Sequence, residues 1–194
     1  MTELQSLCVY CGSSSDVDPV HLDNARALGR MAAERGVGIV FGGGRVGLMG
    51  VLADACMAAG GRVIGIIPRD LDDREVGHRD VSELEIVDSM HVRKMRMFHR
   101  SDAFCVLPGG LGTLDEAFEI ITWRQLGFHD KPIVLFNLAG YWNPLLALID
   151  HQIAEGYVRP QHRDLFEVVE APEAVFEAVA RARPPAKPAR TERL

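Results

Sequence analysis

The nine residues Pro108-Gly109-Gly110-Leu111-Gly112-Thr113-Leu114-Asp115-Glu116 join a glycine-rich turn to a pair of carboxylates. Glycine lets the backbone take positive φ and lets N–H groups approach an anion, and a helix starting there adds the positive end of its dipole. Phosphate is the natural guest of such a loop. Thr113 is expected to cap the helix, with Glu116 three residues on at the spacing of a capping box. Glu116 then has two readings. It caps its own helix, which spacing alone slightly favours, or it stands beside a bound ribose phosphate. There it could stabilise positive charge developing at C1′, or orient an attacking water.

Two further turns carry the same character: Cys11-Gly12-Ser13-Ser14-Ser15, and Gly42-Gly43-Gly44-Arg45-Val46-Gly47-Leu48-Met49-Gly50. Gly42, Gly44 and Gly47 formally satisfy the G-x-G-x-x-G dinucleotide fingerprint, and Asp70 lies about where a ribose contact would follow. The fingerprint stands after the second apolar run rather than the first, however, and no second domain is present to receive a hydride. Glycines needed only to pack helix on strand explain the loop as well. A third element, Met90-His91-Val92-Arg93-Lys94-Met95-Arg96-Met97-Phe98, puts Met90, Met97 and Phe98 toward the core or a partner subunit. Arg93 and Lys94 read on spacing as a solvated helix face. The histidines form no H-E-x-x-H or similar cluster, so no metal site is expected. Cys8 and Cys11 make a lone C-x-x-C without the second ligand pair that zinc needs, and read as buried free thiols.

The elements that must position these loops are legible from periodicity. Continuous apolar runs occur at Leu7–Tyr10, Gly38–Phe41, Val63–Ile67, Ala103–Leu107 and Ile133–Phe136, with a weaker one at Phe166–Val169. Unbroken runs suit strands of a parallel sheet covered on both faces. Helical patterns lie between them, at about Val20–Arg35, Gly47–Ala59, Met90–Ser101, Leu114–Leu126 and Pro144–Glu155, and after the last run at Pro172–Arg183. The alternation predicts an α/β fold, a Rossmann-like, doubly wound and mainly parallel sheet flanked by helices, with the ligand at the carboxyl ends of the strands. Residues 1–183 are expected to form one domain and the Pro- and Arg-rich residues 184–194 a disordered tail. Asp70–Asp80 reads as an irregular excursion with few core residues.

Composition narrows the partners. Acidic residues outnumber basic ones, 27 to 21, which argues against a general affinity for nucleic acid. No secretory signal or run of about 18 apolar residues is visible, so a cytoplasmic protein without a membrane span is expected.

In these residues the sequence resembles the LOG family, the cytokinin riboside 5′-monophosphate phosphoribohydrolases formerly labelled lysine decarboxylases. The likeness rests on Cys11-Gly12-Ser13-Ser14, Gly42-Gly43-Gly44 with Val46 to Gly50, Met90-His91 with Arg93-Lys94, and Pro108-Gly109-Gly110-x-Gly112-Thr113-x-x-Glu116. Thr122-Trp123, Gln125-Leu126-Gly127, Lys131-Pro132, Asn137 and Gly140-Tyr141 continue it, so that it spans roughly Ser6 to Val158. The resemblance implies an enzyme that hydrolyses the N-glycosidic bond of a nucleoside 5′-monophosphate, such as AMP bearing an N6-prenyl group. Free base and ribose 5-phosphate are the products. It implies Arg93 and Glu116 as the catalytic pair. Glu75, Lys94, Gly109, Gly110, Leu111, Gly112, Thr113, Leu114, Asp115 and Thr122 would bind substrate. It further implies a homodimer and no metal or organic cofactor. Arg45 departs from the pattern, where many relatives carry a small polar residue; it either adds a phosphate contact or points to solvent. A non-catalytic nucleotide sensor or carrier on the same fold is the alternative from another class.

Overall fold

The computed structural model describes residues 4–75 and 77–182. The tail expected over 184–194 lies outside them. Seven strands form one sheet: β1 (Ser6–Tyr10), β2 (Gly38–Phe41), β3 (Val63–Pro68), β4 (Glu83–Val87), β5 (Ala103–Val106), β6 (Ile133–Phe136) and β7 (Glu167–Val169). Their order is β4-β3-β2-β1-β5-β6-β7, and every neighbouring pair is parallel. The helices are α1 (Pro19–Glu34), α2 (Gly47–Ala58), α3 (Arg69–Glu75), α4 (Met90–His99), α5 (Leu111–Gln125), α6 (Asn143–Ala154) and α7 (Pro172–Arg181).

Strand alternation sorts the side chains onto two faces. Leu7, Val9 and Phe41 pack against Leu28 of α1, Leu52 of α2 and Val175 of α7. Cys8, Tyr10 and Val40 pack on the opposite face against Phe98 of α4, Ile120 of α5 and Ile149 of α6. Burial on both faces is why the strands read as unbroken apolar runs. The same alternation disposes of the C-x-x-C. Cys8 and Cys11 belong to cores on opposite faces of the sheet, and both are free and buried.

The chain walks from β1 out to β4, then crosses back to lay β5 against β1. That reversal makes the carboxyl ends of β1 and β5 a switch point, where the chain diverges to both sides and leaves a crevice. The loops Cys11–Ser15 and Pro108–Gly110 begin there.

The stretch 70–80 departs from expectation. It contains α3 and leads into β4, an edge strand absent from the sequence reading. Glu83-Leu84-Glu85-Ile86-Val87 is only half buried, so it lacks the continuous apolar character of the inner strands. Its carboxylates meet arginines instead. Arg96 Nε lies 2.5 Å from Glu85 Oε1, Arg62 Nη2 lies 3.0 Å from Glu83 Oε2, and Arg100 also pairs with Glu83. The segment also buries Asp72 and His78, against the expectation that it would contribute little to the interior.

Candidate active site

The three glycine- or serine-rich loops converge. Gly12 N–H donates to Pro108 O at 3.0 Å, Leu48 N–H to Gly12 O at 3.1 Å, and Gly47 N–H to Ser15 Oγ at 3.2 Å. Approach is close enough to exclude side chains: a Cβ on Gly12 would stand 3.2 Å from Gly109 Cα, and one on Gly47 would stand 2.4 Å from the Ser13 carbonyl carbon. These contacts decide between the loops. The first N–H groups of a helix have no partner within it, and at α2 two of them are taken by the β1 loop. The triple-glycine loop therefore serves packing, which removes the basis for a pyrophosphate there. At α5 no side chain caps the helix, whose N-cap is Gly110. A Cβ on Gly110 or Gly112 would meet nothing within 4 Å, and Leu111 is 86% exposed. The helix end left open is that of α5.

The helix start also revises the reading of Thr113. Leu111 is the first helical residue, so Thr113 sits inside the first turn, buried over Gly109. It is not the cap, and Glu116 is not the third member of a capping box.

Glu116 is instead paired with Arg93. Both residues are 7% exposed, against a solvated face expected for Arg93. Arg93 donates through Nη1 to Glu116 Oε1 at 2.9 Å, through Nε to Ile66 O at 3.1 Å, and through Nη2 to Gly42 O at 3.2 Å. The guanidinium is thereby held across the ends of β2 and β3 while it presents one edge to the start of α5. Gly42 is glycine for a specific reason, because a Cβ there would lie 1.9 Å from Arg93 Nη2. Beneath the pair, Tyr10 and Cys8 are kept protonated. Burial raises both, and the nearby Glu116 charge adds to it, holding the Cys8 thiol at about 12.

Lys94 lies 3.0 Å from Glu119 Oε1 and 3.2 Å from Asp115 Oδ2. Burial works to lower its pKa, but the hydrogen bonds to the two carboxylates outweigh that and raise it. The lysine ties α4 to α5 beside the open end of α5. Leu114 is half buried on α5, and Leu114 N–H closes its first turn on Gly110 O at 3.0 Å. Thr122 is exposed, and six residues at about 1.5 Å each put it roughly 9 Å further along α5 than Glu116. The chain alone does not bring it to the pair. Glu75 ends α3, and its side chain lies outside the description. Arg45 is exposed, its guanidinium 3.6 Å from Asp80. Met97 and Phe98 are buried while Met90 is 42% exposed.

Two features escaped the sequence reading. His78, wholly buried, donates its N–H to Gly43 O at 2.9 Å and sets Nε2 2.8 Å from Asp54 Oδ1, while Gly77 bridges to Gly44. This strap clamps the loop that holds Arg93. Tyr141 reaches from beyond β6 to Gly109 O at 2.7 Å. No local signal announces these contacts, since they join residues 24 or more positions apart. Among the described residues no group of three or more His, Cys, Asp or Glu side chains is placed to hold a metal ion, and no helix is long and apolar enough to cross a membrane.

The chain is similar in sequence and in fold to known proteins. The family model described as "Possible lysine decarboxylase" matches residues 49–179. A probable cytokinin riboside 5′-monophosphate phosphoribohydrolase of Oryza sativa subsp. japonica is 43% identical over 94% of this chain and 75% of its own. A second from the same plant is 48% identical over 89% and 75%. A cytokinin riboside 5′-monophosphate phosphoribohydrolase of Arabidopsis thaliana is 44% identical over 89% and 80%. Among solved structures, the molybdenum cofactor binding protein of Rippkaea orientalis shares the fold with a TM-score of 0.69 at 22% identity, over 93% of this chain and 98% of its own. The extent and level of the sequence matches show that this chain belongs to the LOG family of cytokinin riboside 5′-monophosphate phosphoribohydrolases.

Proposed function

We propose that the chain hydrolyses the N-glycosidic bond of N6-prenylated adenosine 5′-monophosphate, or a related nucleoside 5′-monophosphate such as AMP. The observation that carries this is the buried Arg93–Glu116 pair at the open N-terminus of α5. A buried ion pair is a poor device for stability, because desolvation offsets most of its attraction. One set beside an uncapped helix end is better explained by chemistry. The substrate phosphate binds the N–H groups of Gly110 to Thr113, with Leu114, Asp115 and Lys94 shaping the rim. That anchorage brings C1′ to Glu116.

Cleavage breaks the bond from C1′ to the base nitrogen and forms one from C1′ to a water oxygen. Positive charge grows on the ribose in between, and the Glu116 carboxylate stabilises it. Glu116 also accepts the proton that the water sheds, and the departing base takes up a proton in exchange. Arg93 holds the carboxylate in orientation. Three of its five N–H donors are committed to Ile66, Gly42 and Glu116, and the others remain available to the ribose or the base. Glu75 and Thr122 complete the substrate site in this reading.

Decarboxylation, which the family model's description suggests, fits poorly. Its usual cofactor, pyridoxal phosphate, forms a Schiff base with a lysine. Of three lysines in the chain, Lys94 holds two carboxylates and Lys131 lies 2.6 Å from both Phe98 O and Ser101 O. The third, Lys187, falls outside the described residues.

The protein works as a cytoplasmic homodimer in this reading. Four buried unpaired thiols suit a reducing compartment. Met90 and Val92 on α4 and Phe118 on α5 expose apolar surface suited to a subunit contact. Incubation with prenylated AMP and with AMP should release free base and ribose 5-phosphate, and Glu116→Gln should abolish it. Tight binding without product from either nucleotide would overturn the hydrolase in favour of a carrier.

A further inference from the structure

The turn after β6 is built at some cost and projects one side chain onto the phosphate loop. Ala139 has φ 50° and ψ 28°, the one non-glycine residue in the left-handed region among those described. Gly140 follows at φ 73°. Strain of this kind, of order 1 kcal/mol or more, persists only where the surroundings dictate it. They do so here through Asn137. Its backbone N–H donates to Val169 O at 2.7 Å, its Oδ1 accepts Trp142 N–H at 2.7 Å, and its Nδ2 donates to Asn143 Oδ1 at 2.9 Å. The residue so delivered is Tyr141. Although 41% exposed, its hydroxyl donates to Gly109 O at 2.7 Å, and its ring is braced edge-on by Trp142 and His21, with centroids 4.8 and 5.6 Å away.

We propose that Tyr141 is a positioning residue of the phosphate loop, its hydroxyl locking the Gly109–Gly110 peptide plane. A peptide group is planar and trans, so holding the carbonyl oxygen also fixes the opposite N–H, that of Gly110. Two adjacent glycines would otherwise let this plane rotate with little steric resistance. Gly109 cannot acquire rigidity from a side chain, because a Cβ would lie 2.1 Å from Thr113 Oγ1 and 2.9 Å from Gly12 N. The phenol on the neighbouring strand's turn supplies it from outside. The lock acts on phosphate affinity rather than on the bond-breaking step, because Tyr141 touches the loop and not the Arg93–Glu116 pair.

The inference rests on the hydrolase reading and is tested with Tyr141→Phe, which keeps the ring and removes one hydrogen bond. Ribose 5-phosphate binding by calorimetry and steady-state kinetics with AMP or prenylated AMP are compared with the wild type. The expected result is about five- to tenfold weaker ribose 5-phosphate binding, as follows from one hydrogen bond. KM should rise by a similar factor, with kcat within twofold and the melting temperature nearly unchanged. Wild-type affinity in the variant, or a fall in kcat with KM unchanged, would overturn the lock and leave the hydrolase standing. A wild type that neither binds ribose 5-phosphate nor turns over would remove both.

Discussion

Replacing Arg93 by Met removes the guanidinium from a site where Glu116 is 7% exposed, and so takes away the counter-charge 2.9 Å from its carboxylate. Loss of one partner from a buried pair typically costs about 3–5 kcal/mol. In a domain of this size each kcal/mol moves the melting temperature by about 2–4 °C, so the variant should melt roughly 6–20 °C lower. The informative construction is the double variant Arg93→Met with Glu116→Leu. It withdraws both charges at similar volume and should recover part of the loss. A deficit of about 1–3 kcal/mol should remain, because the Ile66 and Gly42 carbonyls lose their donor. Thermal melts and urea unfolding of the wild type, both single variants and the double variant complete the cycle. All three variants should be inactive. If the double variant is as unstable as Arg93→Met alone, the pair is a structural support, and the inference from its burial to chemistry fails.

Gly42→Ala should displace the Arg93 guanidinium, since the added methyl would stand 1.9 Å from Nη2. Turnover should fall about a hundredfold, as a misplacement of about 1 Å can do, while overpacking costs about 1–3 kcal/mol; normal activity would show that Arg93 need not sit where it does. His129 should make the protein acid-sensitive. Burial lowers its pKa to about 4, and the neutral ring donates from Nε2 to Ile120 O at 2.8 Å while Nδ1 accepts Lys131 N–H at 3.1 Å. Between that value and the ordinary value near 6.5, the unfolded chain binds a proton that the folded chain refuses. The stability His129 contributes is thus present above pH 6.5 and lost as pH falls toward 4. Melting temperature plotted against pH should therefore flatten over that window in His129→Gln, and an unchanged slope would contradict the assignment.

Legibility in the sequence followed locality. Gly38–Phe41 and Ile133–Phe136 were delimited by their apolar runs, because a strand buried on both faces carries its signal within itself. Glu83–Val87 was not, because an edge strand satisfied by Arg62, Arg96 and Arg100 has a polar composition that only its neighbours explain. The helix start at Leu111 rather than Leu114 changed more than a boundary. Three residues of a helix are about five-sixths of a turn, so that shift took Thr113 from the cap into the interior and freed Glu116 from capping.

The residues alone were enough to settle the alternation of strands and helices and, through resemblance, the family; they also pointed to Pro108–Gly112 as a loop suited to an anion. Each depends on residue types within a few positions of one another. Tertiary structure decided which helix end stays open and that Arg93 is buried rather than solvated. It also made Gly42 a seat for a guanidinium, and brought His78 and Tyr141 onto the loops of the site. Those outcomes depend on parallel crossovers that set the ends of β1, β2, β3 and β5 side by side. Which backbone groups remain unpaired there is a property of the assembled sheet.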